Sequence, residues 1–246
     1  MRKFILILIF YLSLGVCFAA NIYRTQTDNA EKSFKNGDFQ KTVAIYESLI
    51  QIEKIRDPYI YYNLSNAYYK SGSIGKAVLN IEKALRFAPR DRDIRRRFRF
   101  LHAAAGESIK YSISDIFLGY FSFNEITVLA SAVMILFLFF FSLFLLKKNI
   151  YFKRAVILFS VFLIICLPFF ILKGFSSMYV QKAVMLNSSV LRNNPDKNGN
   201  EVFQITEGKV VNIISENGQW AYIKFQSEGT DVSGWTEFEN MEKINE

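Results

Sequence analysis

The architecture is decided by residues 126–146 (ITVLASAVMILFLFFFSLFLL) and 155–172 (AVILFSVFLIICLPFFIL), because neither segment contains a charged side chain. As helices with a rise of about 1.5 Å per residue they are about 31 Å and about 27 Å long. Both lengths are within the range that spans the apolar core of a bilayer. The alternative is a pair of buried core helices. It needs a large soluble core, and neither flank is long enough to supply one.

The eight residues between the two segments, 147–154 (KKNIYFKR), carry four cations and no anion. This excess predicts a cytoplasmic loop between two antiparallel spans by the positive-inside rule. The N-terminus gives the same orientation, because two cations, an apolar run and a small-residue end are typical of a secretory signal peptide over residues 1–19. We therefore predict a multi-pass protein of the bacterial inner membrane, with residues 22–107 and 178–246 in the periplasm.

Alternatives for the N-terminal segment stay open. Residues 14–17 (LGVC) loosely resemble a lipoprotein signal, and an uncleaved anchor is also compatible with the apolar run.

The two spans are assigned to residues 124–146 and 155–172, and an amphipathic connector over 108–123 precedes the first. Their composition restricts the functions that they can have. Residues 126–146 and 155–172 contain no Asp, Glu, Lys, Arg or His, and such groups line ion and substrate paths in membranes. The spans are therefore interpreted as an anchor.

Residues 22–107 resemble a tetratricopeptide-repeat domain, whose period is about 34 residues. The turn glycines Gly37 and Gly72 are 35 residues apart, so one residue is inserted between the copies. The resemblance implies two all-α helix pairs followed by a capping helix over residues 91–105. The positions that carry it are Ala30, Phe34, Gly37, Phe39, Val43, Tyr46 and Leu49 in the first copy, and Tyr61, Leu64, Ser65, Tyr68, Gly72, Ala77, Ile81, Ala84 and Pro89 in the second.

The predicted capping helix has an apolar face of Ile94, Phe98 and Leu101 and an opposite face of arginines. Arg97 departs from the repeat pattern, which favours an apolar residue there. The arginine face and a face of the preceding helices are predicted to form a partner-binding groove. Its residues are Tyr62, Asn66, Tyr69, Arg92, Arg95, Arg96 and Arg99. Because arginine holds a carboxylate by two hydrogen bonds, the expected ligand is an acidic segment or a free C-terminal carboxylate. The alternative is that the arginines only solvate a terminal helix.

From residue 178 onward the pattern changes to short alternating runs separated by turn residues, which predicts a small all-β barrel. The five predicted strands are 180–186, 201–205, 209–215, 220–225 and 234–238. The module resembles the bacterial SH3-like domain through residues 190–195, 207–211, 218–223 and 234–235. Trp220, Tyr222 and Trp235 are assigned to the core or the surface of this barrel, and for the two tryptophans the core is preferred.

The composition argues against an enzyme. Cys17 and Cys166 lie in apolar segments and His102 is the only histidine, so a paired nucleophile and histidine or a Cys/His metal cluster is not expected. The net charge of +8 is uneven: residues 20–110 carry 17 Lys and Arg against 10 Asp and Glu, whereas residues 176–246 carry 6 against 10. A basic patch in one module does not indicate a nucleic-acid partner. We expect no cofactor and no metal.

In this order, the leader, the repeats, the two spans and the SH3-like barrel are similar to the BatE family of the Bacteroides aerotolerance operons. The resemblance covers nearly the full length. It implies a non-enzymatic scaffold on the outer face of the inner membrane, in a complex with von Willebrand A-type Bat proteins and a MoxR-type ATPase that is linked to oxidative stress tolerance. The alternative function is a cell-wall tether in which the SH3-like module binds peptidoglycan.

Overall fold

The computed structural model describes residues 23–52, 54–107, 120, 123–179, 181–227 and 229–244. Seven helices and an antiparallel sheet of seven strands make up the described residues, so the chain is a mixed α and β protein. The predicted signal peptide and most of the predicted connector lie outside them.

Five helices form a helical module over residues 23–107. Helix α1 covers residues 23–35, and the following helices are α2 (Phe39–Gln51), α3 (Pro58–Lys70), α4 (Ile74–Phe87) and α5 (Arg92–Ala104). The turns of the first two helix pairs contain Gly37 and Gly72 at φ values of +79° and +88°, a backbone conformation that glycine adopts without strain. Residues 23–107 therefore form two helix pairs with a glycine in each turn, followed by a fifth helix.

Caps explain why α3 and α5 begin where they do. The side chain of Asp57 accepts a hydrogen bond from the Tyr59 N–H at 2.7 Å, and Pro58 occupies the first turn. Asp91 accepts from the N–H groups of Asp93 and Ile94 at 2.9 and 3.0 Å. The residue inserted between the two repeat copies therefore belongs to a stretch that supplies the cap of α3.

The core of the helical module contains the residues that the periodicity predicts. In α3 the buried face includes Leu64 and Tyr68, and in α4 Ala77 and Ile81 are fully buried. The apolar face of α5 is buried as well: Ile94, Phe98 and Leu101. Each of these helices therefore packs through one apolar face and leaves its opposite face toward the surface.

Two long helices follow, α6 (Phe123–Lys147) and α7 (Ile150–Tyr179). The segment Glu125–Lys147 is the one helix among the described residues that is long and apolar enough to cross a membrane. Only Lys148 and Asn149 separate the two helices, so the connection is shorter than the predicted loop over 147–154. The rings of Phe140 and Phe159 stack with centroids 5.5 Å apart, which places the two helices side by side.

The β module, residues 181–244, contains seven strands in the order β3-β2-β6-β5-β4-β1-β7. The strands are β1 (Gln181–Met185), β2 (Ser189–Arg192), β3 (Glu201–Ile205), β4 (Val210–Asn217), β5 (Trp220–Ser227), β6 (Thr230–Glu237) and β7 (Met241–Lys243). The predicted count of five is therefore wrong: β2 and β7 were missed. They have four and three residues, too few for an alternating pattern. The connection between the predicted strands 220–225 and 234–238 is shorter than expected as well, because β5 and β6 pair as far as Ser227 and Thr230.

The β module packs directly on α4. The N–H of Gly75 donates a hydrogen bond to Oε1 of Glu207 at 2.7 Å, across 132 residues of sequence. Ser73, at the N-cap position of α4, forms no side-chain cap of its own. Because unpaired N–H groups and the helix dipole favour an anion at an N-terminus, Glu207 takes over the capping of α4.

Apolar contacts and ion pairs complete this interface. Val184 and Ile244 of the β module belong to the same buried cluster as Val78 of α4. Two ion pairs join the modules, Lys83–Glu242 at 2.7 Å and Lys209–Glu107 at 3.8 Å. Val184 and Ile244 therefore extend the core of the helical module across the interface, while the β module has a separate core of its own.

Candidate binding surfaces of the helical module

The structure divides the predicted partner-binding residues between two flanks of α5. Arg92, Arg95, Arg96 and Arg99 are exposed, as predicted, and together with Arg90 they line an open surface pocket of about 500 Å³. We call these five residues the arginine pocket. The predicted tyrosines do not line it, because Tyr69 contacts the other flank of α5, through Phe100.

The arginine that meets the tyrosines is Arg97. Its guanidinium carbon lies 4.7 Å from the centroid of the Tyr69 ring and 4.9 Å from that of Phe100. The two rings are themselves 5.2 Å apart in an edge-to-face arrangement. The two distances from the guanidinium carbon are within the range of a cation–π contact. We call Arg97, Tyr69, Phe100 and the neighbouring Tyr62 the Arg97 site.

The electrostatics of Arg97 are unusual for an arginine at a protein surface. Burial lowers the pKa of Arg97, and the nearby Tyr62 and Tyr69 oppose this shift. Among the described residues no carboxylate forms an ion pair with Arg97, and its buried Nε has no hydrogen-bond acceptor. A planar donor without an acceptor is able to donate hydrogen bonds to a carboxylate.

Tyr62, Asn66 and Tyr69 are half-buried in α3. They follow one another at intervals of four and three residues, so they form one stripe on the helix. Phe100 stays 45% exposed, which leaves an apolar edge open beside the stripe. Periodicity alone could not identify Arg97 and Phe100 as part of this surface; the signal was that Arg97 breaks the apolar pattern.

His102 is buried and does not form part of either surface. Its Nδ1 lies 2.6 Å from Oε2 of Glu107, and its Nε2 lies 3.1 Å from Oε1 of Glu82. Burial by itself lowers the pKa of His102, but the contacts with the two glutamates outweigh it and raise the pKa to about 9. Because Lys209 also pairs with Glu107, this network extends to the β module.

The three aromatic residues singled out in the β module lie on its outer face. Trp220, Tyr222 and Trp235 are half-buried, and the rings of Tyr222 and Trp235 are 5.2 Å apart. The side chains of β5 that fill the core are instead Ala221, Ile223 and Phe225. The structure therefore favours the surface over the core for the two tryptophans, because alternate residues of a strand point to opposite faces.

Groups of three or more His, Cys, Asp and Glu side chains that could hold a metal ion do not occur in the described part of the chain. No protein-family model matches the sequence, and no curated protein matches it.

Proposed function

We propose that this protein is a non-enzymatic scaffold, anchored in the bacterial inner membrane by α6 and α7, that binds protein partners through its periplasmic helical module. By the resemblance to the BatE family, its partners are von Willebrand A-type Bat proteins and a MoxR-type ATPase system, in a complex linked to oxidative stress tolerance. The observation that carries the proposal is Arg97, whose guanidinium lies against two aromatic rings and has no carboxylate partner among the described residues.

The Arg97 site favours a ligand with a carboxylate and a flat or apolar neighbour. The planar guanidinium binds both oxygens of a carboxylate, and the rings of Tyr69 and Phe100 hold that plane in position. Tyrosine and arginine are enriched among the residues that dominate binding energy at protein interfaces. An extended acidic segment or the C-terminus of a partner protein meets these requirements.

The β module leaves the Arg97 site open. Its contacts with the helical module involve α4 and the end of α5, through Gly75, Lys83, Ala105 and Glu107. By charge, the acidic β module of the same chain is one candidate ligand. It docks on α4 and the end of α5, however, and not on the Arg97 site. A separate protein is the better candidate.

The test is binding of a fluorescent acidic hexapeptide by the full chain in mild detergent, with a free and with an amidated C-terminus. We expect Arg97→Gln to weaken binding at least tenfold, since truncating one partner of a desolvated charge pair costs about 2–5 kcal/mol. Arg97→Lys keeps the charge but not the planar fork and should be intermediate. The matched control is Arg24→Gln, an exposed arginine of α1. Equal binding by Arg97→Gln and the control refutes the assignment of the site.

A second arm identifies the partner. Proteins that co-purify with the wild-type chain from native membranes are compared with those that co-purify with Arg97→Gln and Arg24→Gln. Loss of Bat-type proteins from Arg97→Gln alone supports the proposed complex. Retention of the same proteins by all three chains shows that the complex uses another surface.

The second candidate function is a cell-wall tether. The observation that favours it is the half-exposed pair of Tyr222 and Trp235 on the outer face of the β module, since aromatic faces supply flat contact area for ligands. Purified cell wall should then retain the wild-type chain and release Trp235→Ala. Retention of neither chain leaves the scaffold as the only candidate.

A further inference from the structure

We infer that the arginine pocket binds the phosphate of an anionic phospholipid headgroup. The inference rests on the proposed function in one respect, that α6 crosses the membrane. It concerns a different surface from the Arg97 site and a different class of ligand.

The charge of the pocket is the first observation. Five arginines line it, and the acids that the described residues place beside them include Asp91, Asp93 and Glu125. Asp93 pairs with Arg96 at 2.9 Å, and Asp91 is committed to the cap of α5 and to the Tyr59 hydroxyl at 2.8 Å. No carboxylate of the described residues forms an ion pair with the remaining three arginines, which are Arg92, Arg95 and Arg99.

Like charges that share one pocket repel each other over distances below the screening length, which is about 8–10 Å at physiological ionic strength. An anion bound in the pocket therefore reduces the repulsion between these arginines. Arginine is suited to phosphate because its planar fork donates two hydrogen bonds to two oxygens. A carboxylate meets the same requirement, so charge alone does not select the ligand.

The position of the pocket selects the ligand. Arg90 forms an ion pair with Glu125, in the first turn of α6, and lies 5.8 Å from the centroid of the Tyr120 ring. Glu125 is also the first residue of the apolar segment Glu125–Lys147. A residue at that boundary lies at the level of the headgroups when the segment crosses a bilayer, and tyrosines are enriched at the same level. Arg90 therefore lies close to the layer of lipid phosphates, and the pocket that it lines is next to that layer.

The experiment uses the full chain in dodecyl maltoside and native mass spectrometry to count bound lipids. The probes are dioleoylphosphatidylglycerol and, as the neutral counterpart, dioleoylphosphatidylcholine. Inorganic phosphate and an acidic hexapeptide are titrated as competitors. The test variant is Arg95→Gln with Arg99→Gln. The matched control is Lys32→Gln with Lys41→Gln, which removes two exposed cations from α1 and α2. Thermal unfolding of each chain in the same detergent verifies that the variants fold.

We expect the wild type and the control to retain phosphatidylglycerol in preference to phosphatidylcholine. The arginine variant should bind phosphatidylglycerol about 25-fold more weakly, since each basic residue near an anionic surface contributes about fivefold in affinity. Equal loss in both variants refutes the inference, because the effect is then one of net charge. Displacement of the lipid by inorganic phosphate, or tighter binding of the acidic peptide than of the lipid, also refutes it.

Failure of this inference is separable from failure of the proposed function. Co-flotation of the full chain with liposomes, resistant to carbonate, measures membrane insertion independently of the arginines. A chain that floats but shows no arginine-dependent retention of phosphatidylglycerol refutes the lipid site and leaves the anchor intact. A chain that does not float refutes the anchor, and with it the position of the pocket.

Discussion

Gly75→Ala tests whether the β module and α4 form one rigid unit. A Cβ at this position lies 2.5 Å from the carbonyl oxygen of Met185 and 2.8 Å from Cα of Leu186. Both are backbone atoms, so no side-chain rotation can relieve the contact. Either β1 moves away from α4 or the N-terminus of α4 moves.

Two opposing effects determine the size of the change. Alanine is a better helix former than glycine by up to about 1 kcal/mol, which stabilises α4 itself. Overpacking of a close-packed contact costs about 1–3 kcal/mol. The net loss at the interface is therefore up to about 2 kcal/mol, equivalent to an undocked population that is larger by up to roughly 30-fold.

Hydrogen exchange followed by mass spectrometry measures this population in the full chain in detergent. Exchange of the peptides that contain residues 74–79 and 205–211 should accelerate by the same factor, because Glu207 bonds to the N–H of Gly75 and Gly208 lies against Ile74 and Val78. Lys76→Ala is the matched control: it changes the neighbouring residue of α4, whose side chain is exposed. If Gly75→Ala exchanges no faster than this control, the modules are not held by the close contact at Gly75.

Three further changes test other parts of the structure. The folded-state pKa of His102 is about 9 against an ordinary value of 6.5, so the protonated form stabilises the fold; this contribution is complete below pH 6.5 and is lost as pH rises through about 9. In thermal melts the wild type should therefore have a higher melting temperature than His102→Gln, and this difference should shrink as the pH rises from 6.5 to about 9. A difference in melting temperature that stays constant over this pH range contradicts the prediction. Ala77 is fully buried, so Ala77→Phe should lower the free energy of unfolding by about 1–3 kcal/mol in denaturant titrations, and an unchanged midpoint argues against the helix packing. For topology, cysteines at Asn36 and Asn198 should react with an impermeant thiol reagent in spheroplasts and one at Asn149 should not; labelling of Asn149 alone reverses the orientation.

Local patterns predicted the helical module well, because its determinants are close in sequence. The apolar spacing of Ile94, Phe98 and Leu101 identified the buried face of α5, and Gly37 and Gly72 marked the two turns. Each of these signals depends on neighbours within one or two helical turns.

The features that sequence analysis missed depend on contacts between distant residues. Nothing near Glu207 indicates that it caps a helix 132 residues earlier, and nothing near Gly75 indicates that a strand lies against it. The short strands β2 and β7 are defined by their partners in the sheet, because three or four residues carry no period. In the sequence, Arg97 was identified only as an exception to the repeat pattern. Its contacts with the rings of Tyr69 and Phe100 are apparent only in the three-dimensional structure.

The junction between α7 and the β module has a mechanical consequence. Helix α7 ends at Tyr179 and β1 begins at Gln181, so a single residue joins them. At about 1.5 Å per residue, the 30 residues of α7 form a lever of about 45 Å. A tilt of about 10° displaces its end by roughly 8 Å, for a rod of that length. Because only one residue lies between the two elements, that displacement is passed on to β1. Because β1 lies against α4, the lever turns the helical module together with the sheet.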